Sequence, residues 1–221
     1  MGQLEEITEL LSQKRLDKYK GISKEDAFKC HLYNSELAES FYQSLSYFEI
    51  ILRNKIDIVF SKYLGDDWIL NPKYIIGRNK DNMATALVHM KDTKKNPTDK
   101  NHIISELNLG FWVYLFLPIY EDVIWKPYPQ MLEEIFDKAK SNIILNKTFY
   151  RLNRIKMYRN KIFHYGSLLA ITDELSNPAK MHNTIYSMLK DLSANKLLKE
   201  IKKIDTFNEK YIKGKKLGIL K

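Results

Sequence analysis

Leu37, Phe41, Leu45, Phe48, Leu52, Ile56 and Val59 recur at steps of three and four residues, a spacing that lines one face of an α-helix and matches no face of a β-strand. No proline precedes Pro72, so every backbone donor in the first third is free to enter a helix. That third is expected to be nearly continuous helix, broken at Gly21 and restarted or kinked at Asn34-Ser35. Ser23 followed by Asp26 reads as a capping-box start, in which short polar side chains satisfy the first free amides.

The rest of the chain carries the same period between clear breakers. Leu64-Gly65-Asp66-Asp67-Trp68 and Asn71-Pro72 predict a loop. A helix follows from about 79 to 90, then a solvated connector over 91–98 and a buried aromatic helix from about His102. The apolar stretch Leu107–Ile119 falls short of the roughly 20 residues that cross a bilayer. It contains Asn108 and Pro118, is closed by Glu121 and Asp122, and reads as a core helix. Pro118, Pro127 and Pro129 punctuate the next connection. A helix then runs through Phe136, and another runs through Ile162 and stops before Gly166. The expected fold is all-α: one helical domain over 1–189 and a basic helical tail over 190–221.

The net charge of +9 favours an anionic partner such as RNA, and the tail holds ten lysines against four acidic residues. On charge alone that tail is either a flexible RNA-grasping segment or a solvated helix end. Cys30 is the single cysteine, which excludes an intrachain disulfide and suits a reducing compartment. The first residues are acidic where a secretory leader is basic, so a cytoplasmic protein without a membrane span is expected. His31, His89, His102 and His182 lack ligand spacing, and no metal or cofactor is expected. Nucleophile elbows, phosphate-cradling loops and dinucleotide glycine patterns are missing too. Trp68, Trp112 and Trp125 sit in apolar runs and are assigned to the core rather than to base stacking.

The segment from Lys147 to Gly166 contains no acidic residue. Wound as a helix at about 100° per residue, it gathers Leu152, Ile155, Tyr158, Ile162 and Phe163 on one side, with Arg159 inside that stripe. A guanidinium aimed at the core costs several kcal/mol of hydration without partners, so a partner or a cleft is expected beside it. Glu49, with Arg53 and Asn54 on the first long helix, is one such support; an i,i+4 pair of Glu49 with Arg53 on the helix rim is the alternative. His164 falls in the last turn, where the helix dipole favours imidazolium, and an imidazole there can carry protons. Arg159 and His164 stand about 140° apart on a regular helix, so they converge only where the helix ends or where two copies contribute, as in a symmetric dimer. Arg151, Arg154, Lys156 and Lys161 on the same segment are the candidate RNA contacts.

Arg159-Asn160-Lys161-Ile162-Phe163-His164 resembles the Arg-Asn-x3-His signature of HEPN domains. Glu49-Ile50-Ile51-Leu52-Arg53-Asn54 is similar to the Glu-x2-Leu-Arg-Asn motif of Abi-like (abortive infection) proteins. Gly65-Asp66-Asp67-Trp68 and Leu109-Gly110-Phe111-Trp112 resemble two further blocks of that family, and all four occur in its order. The resemblance implies a HEPN-type helical bundle with additional N- and C-terminal helices, usually a homodimer. It implies a metal-independent endoribonuclease that cuts RNA by 2′-hydroxyl attack, serves as an abortive-infection effector or toxin, and is kept silent in some members by an RNA or protein antitoxin. Arg159 would contact the scissile phosphate, Asn160 would orient the site and His164 would transfer protons. Where many relatives carry His-His-Glu, this chain reads His164-Tyr165-Gly166, which leaves Tyr165 as a possible phosphate partner. The alternative is a catalytically silent RNA-binding HEPN dimer that partners an antitoxin.

Overall fold

The computed structural model describes residues 3–22, 26–136, 145–169 and 177–220. Among these residues the chain is all-helical, with no strand. In order the helices are α1 (Gln3–Leu11), α2 (Gln13–Leu16), α3 (Ala27–Glu39), α4 (Tyr42–Leu64), α5 (Arg78–Asp92), α6 (Lys100–Glu106), α7 (Leu109–Tyr114), α8 (Gln130–Ile135), α9 (Leu145–Phe163), α10 (Pro178–Asp191), α11 (Asn195–Ile204) and α12 (Phe207–Lys216). No helix of the described residues is long and apolar enough to cross a membrane.

The predicted stripe is buried along its whole length: Leu37, Phe41, Leu45, Phe48, Leu52, Ile56 and Val59 all lie in the core. Each such side chain contributes roughly 1.5–3 kcal/mol through burial, and this sets the face that α4 presents inward. The expected continuity of the first third does not hold. Ser12 takes a φ of +67° between α1 and α2, and α3 ends at Ser40, whose Oγ donates to the Leu37 carbonyl at 2.6 Å. Asn34 and Ser35 stay within α3, so the kink expected there lies at Ser40–Phe41 instead. The N-cap of α3 is Asp26, which accepts from the Lys29 amide at 2.8 Å; Ser23 lies outside the described residues. The single aromatic helix expected from His102 is two helices, because Asn108 caps the second by accepting from the Phe111 amide.

The chain divides into two compact units. The first comprises Met1–Ser46, Met157–Tyr186 and Lys196–Lys221. Its core joins Phe41 to Tyr158 and Phe207 through edge-on ring contacts. The C-terminal helices belong to this core rather than to a loose tail: Leu198, Ile201 and Phe207 are buried, and the Tyr33 hydroxyl donates to the Lys210 carbonyl at 3.0 Å. His182 on α10 stacks on Phe207 at 4.1 Å and meets Asp205 at 2.7 Å. Burial alone would raise the Asp205 pKa, but hydrogen bonds from His182, Tyr186 and the Phe207 amide hold it below the usual carboxylate value.

The second unit comprises Tyr47–Lys156 and Ser187–Asn195. Its core is aromatic: Trp68 lies edge-on to Phe60 and Trp112, and Trp125 stacks on Phe116 at 5.0 Å. The three tryptophans are buried, and the indole nitrogens of Trp68 and Trp125 donate to Asp57 and to the Leu115 carbonyl, which removes the penalty of sealing them away from water.

Candidate functional site

The end of α9 is built by two backbone hydrogen bonds. The Gly166 amide reaches back to the Lys161 carbonyl at 2.7 Å and the Tyr165 amide to the Ile162 carbonyl at 3.0 Å, the paired pattern of a Schellman cap. Sequence alone ended the helix before Gly166, the residue type that most readily takes the left-handed position of such a cap. The structure puts Tyr165 there instead, with a φ of +57°. Gly166 is needed for a different reason: a Cβ on it would stand 2.9 Å from the Lys161 carbonyl oxygen. A non-glycine residue in the left-handed region costs about 1–2 kcal/mol, so the turn holds a strained tyrosine.

Two contacts hold the chain as it leaves this cap. Arg15 on α2 donates from Nη1 to the Tyr165 carbonyl at 3.3 Å. Asn34 on α3, 4% exposed, donates from Nδ2 to the Gly166 carbonyl at 3.3 Å and accepts from the Leu168 amide at 2.6 Å. The buried asparagine thus stands in for the backbone partners that a helix or sheet would supply.

Arg159 is partly buried, with its Nε sealed from solvent. Its guanidinium carbon lies 4.4 Å from the Phe163 ring centroid, and Nη1 reaches the Asn160 side-chain oxygen at 3.5 Å. The apolar stripe of α9 is buried at Leu152, Ile155 and Tyr158, but Phe163 is 43% exposed. The guanidinium therefore rests on an aromatic face at the edge of the core, a contact that offsets part of its desolvation. His164 is exposed, in the capping position one residue past α9.

Scans of the chain against protein-family models, curated proteins and solved structures find no match.

A cleft of about 560 Å³ opens beside the cap in the first unit. One face of α3 lines it with His31, Asn34, Ser35, Ala38 and Glu39, and Leu11, Arg15, Tyr42, Ile162, Phe163, Tyr165 and Gly166 complete it. Phe163 and Tyr165, which flank His164, are part of this lining, whereas Arg159 and His164 are not. The Tyr42 and Phe163 ring centroids lie 6.5 Å apart, with the rings tilted at 43°. His31 packs edge-on to Tyr19 at 5.3 Å, and its Nδ1 is buried with no hydrogen-bond partner among the described residues. Burial, and then the Arg15 charge, pushes its pKa below the ordinary histidine value.

The other sequence-predicted residues fall in two groups. Arg159, Asn160, Lys161, His164 and Tyr165 belong to the first unit; Glu49, Arg53, Asn54, Arg151, Arg154 and Lys156 belong to the second. Glu49 and Arg53 are partly buried on α4, and Arg53 Nε reaches Asn54 Oδ1 at 3.3 Å. Several expected RNA contacts are committed to protein groups. Arg151 pairs with Asp191 at 2.8 Å and bonds Ser187, and Arg154 bonds the Tyr150 hydroxyl at 3.1 Å. Lys156 sits over the Tyr114 ring and bonds its hydroxyl at 2.9 Å, which lowers the phenol's pKa. Arg15, His31, Asn34, Tyr42 and Phe163 were not singled out as site residues. The cleft face of α3 recurs at i, i+3, i+4, i+7 and i+8 but mixes imidazole, amide, hydroxyl and carboxylate, so hydropathy reads it as solvated surface. Buried Asn34 beside Cys30, Tyr33 and Leu37 was the one legible signal.

Proposed function

We infer that this chain is a metal-independent endoribonuclease of the HEPN, Abi-like kind, acting as an abortive-infection effector or toxin in the cytoplasm. It cleaves RNA by attack of a ribose 2′-hydroxyl on the adjacent phosphate, leaving a cyclic phosphate. The observation that carries this reading is the end of α9: a solvent-facing imidazole, His164, follows within five residues a guanidinium, Arg159, that a ring and an amide orient. Proton transfer and charge stabilisation on a phosphate are the two services this cleavage needs. His164 supplies the first and Arg159 the second, and Asn160 orients the guanidinium. Because the two side chains diverge by about 140° on a regular helix, a homodimer that brings two α9 ends together completes the site. A cognate antitoxin, RNA or protein, keeps the nuclease silent.

A second reading has one observation in its favour: the cleft beside the cap is lined without Arg159 or His164. On that reading the chain is a catalytically silent dimer that binds RNA and partners an antitoxin. Purified wild type and His164→Ala, incubated with total RNA in chelator, separate the two. New 2′,3′-cyclic phosphate ends with the wild type alone establish the nuclease. Equal RNA binding by both proteins with no new ends establishes the silent dimer.

A further inference from the structure

The cleft contains a set of groups that the nuclease reading does not use. Three aromatic side chains border it and remain open to solvent: Tyr42 is 60%, Phe163 43% and Tyr165 74% exposed. The third is held there by a strained backbone. Tyrosine occupies the left-handed position of the α9 cap, where glycine would cost less. The Tyr165 carbonyl is fixed by Arg15, which anchors the guanidinium at the cleft edge. Backbone strain kept at an exposed aromatic beside a cavity points to use of that ring.

The polar groups in the cleft are few and of complementary kinds. The lowered pKa of His31 leaves its ring neutral near pH 7. Its Nδ1 is enclosed without a partner among the described residues, so Nε2 is the nitrogen left to meet a bound molecule. Glu39 adds an acceptor, and Arg15 adds a cation at the mouth. A flat ring with both N–H and acceptor edges, attached to an anion, satisfies all of these together. Aromatic faces take the ring, Glu39 takes an N–H edge, His31 meets the remaining edge and Arg15 meets the phosphate. The cavity volume falls within the range of small-ligand sites, and its largely apolar wall with a few convergent polar groups is their usual character.

We propose that this cleft binds an unpaired nucleobase, with Tyr42, Phe163 and Tyr165 as the stacking surface and Arg15 toward the phosphate. The assignment rests on the nucleic-acid reading above and adds to it a preference for single-stranded RNA. A base paired in a duplex cannot enter, and the site lies next to His164 in the chain. The same chemistry is offered by a base in a polymer or by a free mononucleotide.

The test uses a labelled 2′-O-methyl oligoadenylate, which lacks the attacking hydroxyl and cannot be cut, so that binding is read apart from cleavage. Fluorescence anisotropy is expected to show the single strand binding more tightly than its duplex. Tyr42→Ala weakens binding roughly 5- to 100-fold, the range for losing one stacking ring, while Tyr42→Phe keeps it, with circular dichroism unchanged in both. AMP that displaces the probe identifies free nucleotides as occupants too; AMP that does not assigns the site to polymer bases. Equal affinity for single strand and duplex, unaltered by Tyr42→Ala, overturns the proposal, as does failure of the probe to bind. Cleavage of ordinary RNA that needs His164 but keeps its KM in Tyr42→Ala sinks the base site and spares the nuclease. Probe binding lost with Tyr42→Ala in a protein that cleaves nothing does the reverse.

Discussion

Asn34 Oδ1 accepts the Leu168 amide at 2.6 Å, tying the middle of α3 to a residue four positions beyond the α9 cap residue His164. Its Nδ2 meanwhile holds the Gly166 carbonyl. Truncating this amide strands a buried N–H and loosens a carbonyl, at about 1–3 kcal/mol for each unsatisfied group. Asn34→Ala is therefore expected to lose about 2–4 kcal/mol in urea unfolding. Asn34→Asp, which keeps the acceptor but sets a buried carboxylate against the Gly166 carbonyl, is expected to lose at least as much at neutral pH.

The cap separates stability from function in one residue. Tyr165→Gly relieves about 1–2 kcal/mol of left-handed strain and adds about 0.4–1 kcal/mol of unfolded-chain entropy. A net gain of up to about 1.6 kcal/mol and weaker single-strand binding follow. Gly166→Ala does the opposite to stability: its Cβ would meet the Lys161 carbonyl oxygen at 2.9 Å, costing about 1–3 kcal/mol as backbone shifts to make room. Thermal unfolding of the two variants, run side by side, checks both signs.

Tyr158 is fully buried and its hydroxyl has no hydrogen-bond partner among the described residues. Burial pushes its pKa well above the usual phenol value. Tyr158→Phe removes a desolvated hydroxyl and keeps the ring against Phe41 at the same site, so it is expected to stabilise by about 1 kcal/mol. A loss of stability in that variant would reveal a partner for the hydroxyl.

His31 makes the cleft sensitive to acid. Its folded pKa lies below the unfolded value of 6.5, so below that pH the unfolded chain binds a proton that the folded chain refuses. Stability falls as pH drops from about 6.5 toward the folded pKa. His31→Phe is expected to flatten unfolding midpoints in that window and leave those above pH 7.5 little changed. An identical slope in the variant would assign the pH dependence to another group.

How much the sequence disclosed depends on the scale of the pattern. The stripe from Leu37 to Val59 and the end of α9 were legible, the first because apolar spacing and burial answer to one cause, the second because Gly166 marks a helix stop. The break between α6 and α7 was not, since Asn108 acts through a single side-chain cap inside an apolar run. That Tyr165 and not Gly166 takes the left-handed position was hidden for a similar reason: both cap positions lie side by side, and only backbone geometry tells which one needs φ above zero. Arg151, Arg154 and Lys156 looked like free cations on an acid-free segment. Their partners, Asp191, Tyr150 and Tyr114, include two that lie about 40 residues away in sequence, beyond the reach of a helical wheel.

Arg159 and His164 acting on one phosphate is the claim on which the rest depends, and the double-substitution cycle tests it directly. Cleavage rates would be measured on a short RNA for wild type, Arg159→Ala, His164→Ala and the double variant, each shown to be folded. Groups that work as a unit are expected to lose about 10²-fold or more singly, with the double variant little worse than either single one. Wild-type cleavage by either single variant, or losses that simply multiply, would contradict a shared site.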